Sequence, residues 1–211
     1  MFDFAAKIPD LAVVIPVFLL ALTIHEFAHG WLANRLGDPT ARLQGRLTLN
    51  PLAHLDPIGT LAIVLIGFGW ARPVPVDSRN LRNPRRDMVL IAAAGPASNL
   101  LLAAASAFCY QTIPWGAGGV EWTWLLVPLR KMFREAVWIN VLLTVFNLLP
   151  IPPLDGSRVL SGFLPLRHAI SYSRLEPYGF LIIFLLFLTP LIRPLYGIMD
   201  VLSRALMLMW G

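Results

Sequence analysis

LAVVIPVFLLALTIHEFAHGWLANRL, residues 11–36, is the stretch on which the reading of this chain turns. At about 1.5 Å per residue a helix of this length crosses a bilayer. Its first half carries no polar stripe, which excludes an amphipathic surface helix. Pro16 falls in the first turns and tilts the helix locally. Within this span sits His25-Glu26-Phe27-Ala28-His29. Histidines at i and i+4 share one helix face, so both imidazoles can reach one Zn²⁺ at about 2.0–2.1 Å. Glu26 follows the first of them and is suited to take a proton from water and hand it to a leaving amine. Chance produces this pattern in roughly one shuffled chain in a thousand. A charge at the centre of a span costs about 2.5 kcal/mol or more, and a bound metal gives such residues a reason to be there.

The rest of the chain agrees with a membrane setting. Of its 211 residues 57% are hydrophobic and 14% charged, against about 25% charged in an ordinary soluble domain. The mean hydropathy is +0.67. The net charge of +5 comes mainly from arginines between apolar runs, where they set topology and face anionic lipid. No basic helix or aromatic-interleaved patch stands clear of the spans, so nucleic acid is not an expected partner. The single cysteine, Cys109, lies in an apolar run and reads as a small buried hydrophobe. No small-residue cleavage site follows the first apolar run, which is therefore expected to be a retained span rather than a signal peptide.

Outward from the first span, Gly37, Pro39, Gly45 and Pro51 punctuate residues 37–56, and Ala41 to Asn50 alternates polar and apolar in the manner of short strands. Residues 57–70 are too short for a full crossing and suggest a re-entrant element. Arg72, Arg79, Arg82, Arg85 and Arg86 form the most basic loop, which is placed in the cytoplasm. Further spans are expected near 88–113, 136–157 and 178–210, the last as one kinked helix or a hairpin. Trp115, Trp122 and Trp124 mark a membrane interface between two of them. The expectation is an all-α polytopic membrane protein, a helical bundle with a short β element and a re-entrant segment, built as a single membrane-embedded domain over 1–211.

A catalytic zinc takes three protein ligands and water. His54, His168, Asp155 and the remaining acids are candidates for the third. Depth favours Asp155. If the basic loops face the cytoplasm, His29 lies roughly 9 Å from that edge, and the span ending near Arg158 brings Asp155 to the same level.

Three motifs in order carry a resemblance. HEFAH at 25–29, GPASN at 95–99 and NLLPIPPLDG at 147–156 are similar to the HExxH, GPxxN and NxxPxxxxDG signatures of the site-2 protease family of intramembrane zinc metalloproteases. The resemblance implies a three-helix catalytic core, with His25, His29 and Asp155 binding Zn²⁺ and Glu26 as catalytic acid/base. It also implies that Asn147 holds substrate backbone, and that residues 45–50, with Arg46, Leu47 and Thr48, form a membrane-edge β element gripping an extended substrate. Asn99 is a further candidate for substrate or oxyanion contact. His54, in NPLAHLDPIG at 50–59, is either an oxyanion or fourth-ligand group or a loop hydrogen bond. No PDZ or CBS domain is recognised. The expected partner is a membrane protein with a transmembrane segment, cleaved in regulated intramembrane proteolysis, and compact loops favour a prokaryotic plasma membrane. A membrane metal transporter or metal sensor is the alternative from another class; Glu26 in the proton-transfer position argues against it.

Overall fold

The structure is a computed structural model that describes residues 4–59, 62, 69–115 and 120–209. Its helices are α1 (Phe4–Leu36), α2 (Thr40–Leu43), α3 (Pro84–Thr112), α4 (Thr123–Asn147), α5 (Asp155–Phe163), α6 (Leu166–Ser173), α7 (Gly179–Leu188) and α8 (Arg193–Leu208). The protein is an all-α membrane protein. By length and composition three stretches can cross a bilayer: Leu11–Leu36, Pro84–Thr112 and Leu166–Leu188, with mean hydropathies of 2.2, 1.8 and 1.3.

α1, α3 and α4 pack on one another, α5 packs on α3, and α8 closes the far side against α4 and α3. Small residues let the helices approach. Ala21, Ala103 and Ala107 are at most 1% exposed, and Ala103 and Ala107 meet Val137, Val141, Met199 and Leu206 in the main apolar cluster. Between helices that gain nothing from leaving lipid, close backbone approach and buried polar contacts supply the cohesion. One such contact is the Thr144 hydroxyl, whose proton is shared between the Asn140 carbonyl of its own helix at 2.8 Å and the Pro96 carbonyl of α3 at 3.2 Å.

Local sequence explains the helix ends. α1 stops at Gly37, whose φ of 115° is open to glycine and strained for other residues. The Asp38 N–H then bonds back to the Ala33 carbonyl at 2.9 Å, closing the helix in the Schellman manner. α3 opens with Pro84 in its first turn, and the Asp87 carboxylate accepts from the Asn83 N–H at 2.8 Å.

Several elements differ from expectation. The span expected near 136–157 begins earlier and ends earlier. α4 starts at Thr123, carries Arg130, Lys131, Arg134 and Glu135 along its length, and stops at Asn147. Residues 148–154 form an irregular turn with a cis Pro152–Pro153 bond, and Asp155 opens a separate helix. The tract 178–210 is divided into α7 and α8 around Pro190. Among the described residues no strand forms. Residues 41–43 are helical, 44–45 form a turn and 47–49 are bends, and Leu55 and Ala71 make a single antiparallel bridge. Most of the tract 57–70, expected to be re-entrant, lies outside the described residues; residues 57–59 begin it as a helical turn.

Asp38 ties the loops to the end of α1. Fully buried, it accepts hydrogen bonds from the N–H groups of Thr40 at 3.0 Å and Asp77 at 2.7 Å, from Asn80 Nδ2 at 2.9 Å, and from the Thr40 hydroxyl. Burial pushes its pKa up, but these hydrogen bonds together outweigh burial and hold it below the usual 3.8. A carboxylate held below its unfolded value stabilises the fold fully above that value, and the contribution is lost as the pH falls through the depressed one. Asp38→Ala is therefore expected to cost about 2 kcal/mol at neutral pH by stranding several donors. Thermal unfolding in detergent should show the gap between wild type and variant narrowing as the pH drops below 3.8.

Candidate metal centre

The His25 and His29 rings leave the same face of α1 and meet edge to face, with centroids 4.7 Å apart. Asp155, the first residue of α5, comes in from the other end of the chain. The two Nε2 atoms are 3.1 Å apart, and Asp155 Oδ2 lies 3.1 Å from His25 Nε2 and 3.2 Å from His29 Nε2. His25 is 4% exposed, and His29 and Asp155 are each 9% exposed, so water does little to satisfy them.

The hydrogen bonds behind the rings determine what faces the centre. Asn99 Nδ2 donates to the Ala21 carbonyl at 3.1 Å and to Asn140 Oδ1 at 2.8 Å. This leaves Asn99 Oδ1 as an acceptor toward His25 Nδ1, 2.6 Å away, so the ring proton sits on Nδ1. His29 Nδ1 likewise donates to the Ile91 carbonyl at 2.7 Å. In the neutral form that binds a metal, each imidazole would direct its bare Nε2 lone pair at the other ring and at a carboxylate oxygen. Three electron-pair donors with no hydrogen between them repel, and a cation among them converts that repulsion into binding. The spacing suits one: ligands about 2.0–2.1 Å from a tetrahedral ion stand about 3.3 Å apart. Among the described residues His25, His29 and Asp155 are the one group of three or more such side chains able to hold a metal.

α3 supplies the wall of the centre, and it can do so because residue 95 is glycine. A Cβ there would lie 2.6 Å from His25 Nε2 and closer still to His29 Nε2. Glu26, 8% exposed, sits beside the group; its Oε2 accepts from the Val74 N–H at 2.9 Å.

The other residues singled out from sequence are placed elsewhere. Asn99 stands behind His25 as a ring support. Asn147 ends α4 and donates to the Leu143 carbonyl at 3.0 Å, within its own helix. Arg46 Nη2 donates to the Arg72 carbonyl at 2.8 Å. Leu47 lies against Gly30 of α1, its Cδ1 3.4 Å from where a Cβ there would be. The Thr48 carbonyl accepts from His54 Nε2 at 2.9 Å. Fully buried His54 thus closes its own loop, and it is not part of the group of three. Sequence reading passed over the Ile91 carbonyl, the Val74 N–H and Asn140. For Asn140 a signal existed: Asn140 and Thr144, four apart in an apolar helix, share a face.

The profile of peptidase family M50 matches residues 121–190. The chain is 44% identical over 174 residues to "Putative zinc metalloprotease YwhC" of Bacillus subtilis, covering 82% of this chain and 78% of the relative. It is 31% identical to "Putative zinc metalloprotease Rip2" of Mycolicibacterium smegmatis, over 84% of this chain and 67% of the relative. The protein of the same name from Mycobacterium tuberculosis is 28% identical over the same shares. No solved structure matches.

Two substitutions test the centre through metal binding alone. Asn99→Ala removes the acceptor that orients His25 and should weaken metal affinity roughly 10–100-fold, read by competition against a chromophoric chelator. Gly95→Ala puts a methyl among the ligands and should reduce metal content to a small fraction of wild type by elemental analysis, with the helical circular dichroism preserved.

Proposed function

Because the chain belongs to peptidase family M50, the site-2 protease family, we propose that it is an intramembrane zinc endopeptidase that hydrolyses peptide bonds in or near transmembrane segments. The observation that carries this reading is the convergence of Asp155 on His25 and His29, which with Glu26 stand on a helix apolar enough to cross a bilayer. In this reading His25, His29 and Asp155 hold the ion and Glu26 is the acid/base. The names of the relatives point to zinc, and the ligand set of two imidazoles and a carboxylate fits it. When bound, zinc supplies Lewis acidity that activates water and polarises the scissile carbonyl.

The chain's own residues do the rest. Asn99 and the Ile91 carbonyl keep the imidazoles in the ligating tautomer. Glu26 Oε1 takes the proton of the attacking water and passes it to the leaving nitrogen as the C–N bond breaks. Burial of Glu26 and of the ligands excludes bulk water and strengthens each charge interaction there. The substrate lies beside Arg46, Leu47 and Thr48, whose loop packs on α1 one turn from Glu26. Asn147 takes substrate backbone at the end of α4. His54 serves this loop by closing it, which its bond to the Thr48 carbonyl supports.

Residues 1–211 act as one multi-pass domain in a prokaryotic plasma membrane, with a single-span membrane protein as substrate in regulated intramembrane proteolysis. The arrangement of α1, α3 and α4 around one another supports that unity. Glu26→Gln should keep the zinc content of wild type and lower cleavage of a co-expressed single-span substrate by roughly 10²–10⁴-fold. Cleavage at the wild-type rate by a zinc-loaded variant would remove Glu26 from the chemistry.

A further inference from the structure

Among the described residues Glu26 is held by one donor. The Val74 N–H lies 2.9 Å from Oε2, and among the described residues no hydrogen bond to Oε1 is found. Both partners are buried, Glu26 at 8% and Val74 at 7% exposure. The donor comes from an extended strap over residues 71–77, far from α1 in sequence.

The strap is built so that this one N–H meets Glu26. Val74 lies between Pro73 and Pro75, and prolines carry no N–H. A slip of one residue in either direction would present a proline to the carboxylate and lose the contact. Slippage is resisted on both sides. The Arg72 N–H bonds to the His54 carbonyl at 2.9 Å and the Arg72 carbonyl accepts from Arg46 at 2.8 Å, while the Asp77 N–H bonds to Asp38 at 2.7 Å. The Val74 side chain adds a third anchor. It packs on Gly30, one turn beyond Glu26, where a Cβ would stand 3.0 Å from Val74 Cγ1.

We propose that Val74 is a positioning residue: its main-chain N–H fixes the Glu26 carboxylate by one oxygen and leaves the other directed at the water and the leaving amine. This rests on the reading of Glu26 as the acid/base. An unrestrained glutamate side chain samples several rotamers. A base must come within about 2.6–3.2 Å of the proton it takes, and a misplacement of about 1 Å can cost roughly 10²-fold in rate. A main-chain donor suits the task because it cannot swing away.

Val74→Pro removes the N–H, and Val74→Ala keeps it while trimming the side chain. In zinc-loaded protein with wild-type zinc content, Val74→Pro is expected to lower kcat roughly 10²-fold with KM within about twofold. Val74→Ala should stay within about threefold of wild type. Equal loss in both variants, or none in Val74→Pro, overturns the proposal. Survival of activity in Glu26→Gln would instead overturn the underlying reading. Amide hydrogen exchange gives a readout independent of turnover and of the folding of Val74→Pro. Residues 71–77 offer Val74 as the amide bonded to Glu26, and its protection should persist in Glu26→Gln, which keeps a carbonyl acceptor, and fall in Glu26→Ala. Equal protection in wild type, Glu26→Gln and Glu26→Ala refutes the contact.

Discussion

Three electron-pair donors pointed at one another in a dry site are the constraint around which the rest of the molecule is arranged. Two imidazole nitrogens and a carboxylate oxygen stand 3.1–3.2 Å apart, and burial leaves water little part in separating them. That arrangement is stable only where the back of each ring is held and where a cation can enter. The Asn99 carboxamide and the Ile91 carbonyl hold the rings, and Asn140 fixes the orientation of Asn99 in turn. The chain of contacts runs α1 to α3 to α4, the three helices that pack most closely on one another. A polar relay therefore sits at the centre of the bundle, where apolar contact alone gives weak specificity in lipid.

The same constraint explains where bulk is missing. Gly95 allows α3 to lie against the imidazoles, and Gly30 allows the strap to lie against α1. The loops that follow α1 are gathered by Asp38, which draws Thr40, Asp77 and Asn80 to the end of that helix. The strap carrying Val74 is thus tied at one end to the helix that carries Glu26. Packing, capping and the placement of the carboxylate are one connected set of contacts.

The sequence was readable where chemistry is local. An HExxH pattern inside an apolar helix requires one side of that helix to be polar, and Gly37 marks its end. The reading was weaker where the outcome depended on remote partners. Alternation over 41–50 pointed to strands, yet Thr40–Leu43 forms a helical turn beside Asp38, and the Thr48 carbonyl is taken by the His54 ring. A strand needs a neighbouring edge, and here side chains occupy the groups that an edge would use. The span expected to continue to 157 stops at Asn147, where Pro150, Pro152 and Pro153 follow closely and a helix cannot continue through them. Asn99 looked from its motif like a group for the substrate; its amide is instead engaged by Ala21, Asn140 and His25, which no one-dimensional pattern displays.

What the amino-acid sequence determined by itself was the medium, the first long helix and the pair of histidines one turn apart, because hydropathy and a period of 3.6 residues act within a single segment. What only the tertiary structure decided was which atoms face the centre. The tautomers follow from Asn99 and Ile91, the approach of α3 from the missing side chain at Gly95, and the hold on Glu26 from an N–H 48 residues away. Those contacts join segments whose spacing along the chain carries no information about their distance in space, so they exist only once the helices have packed.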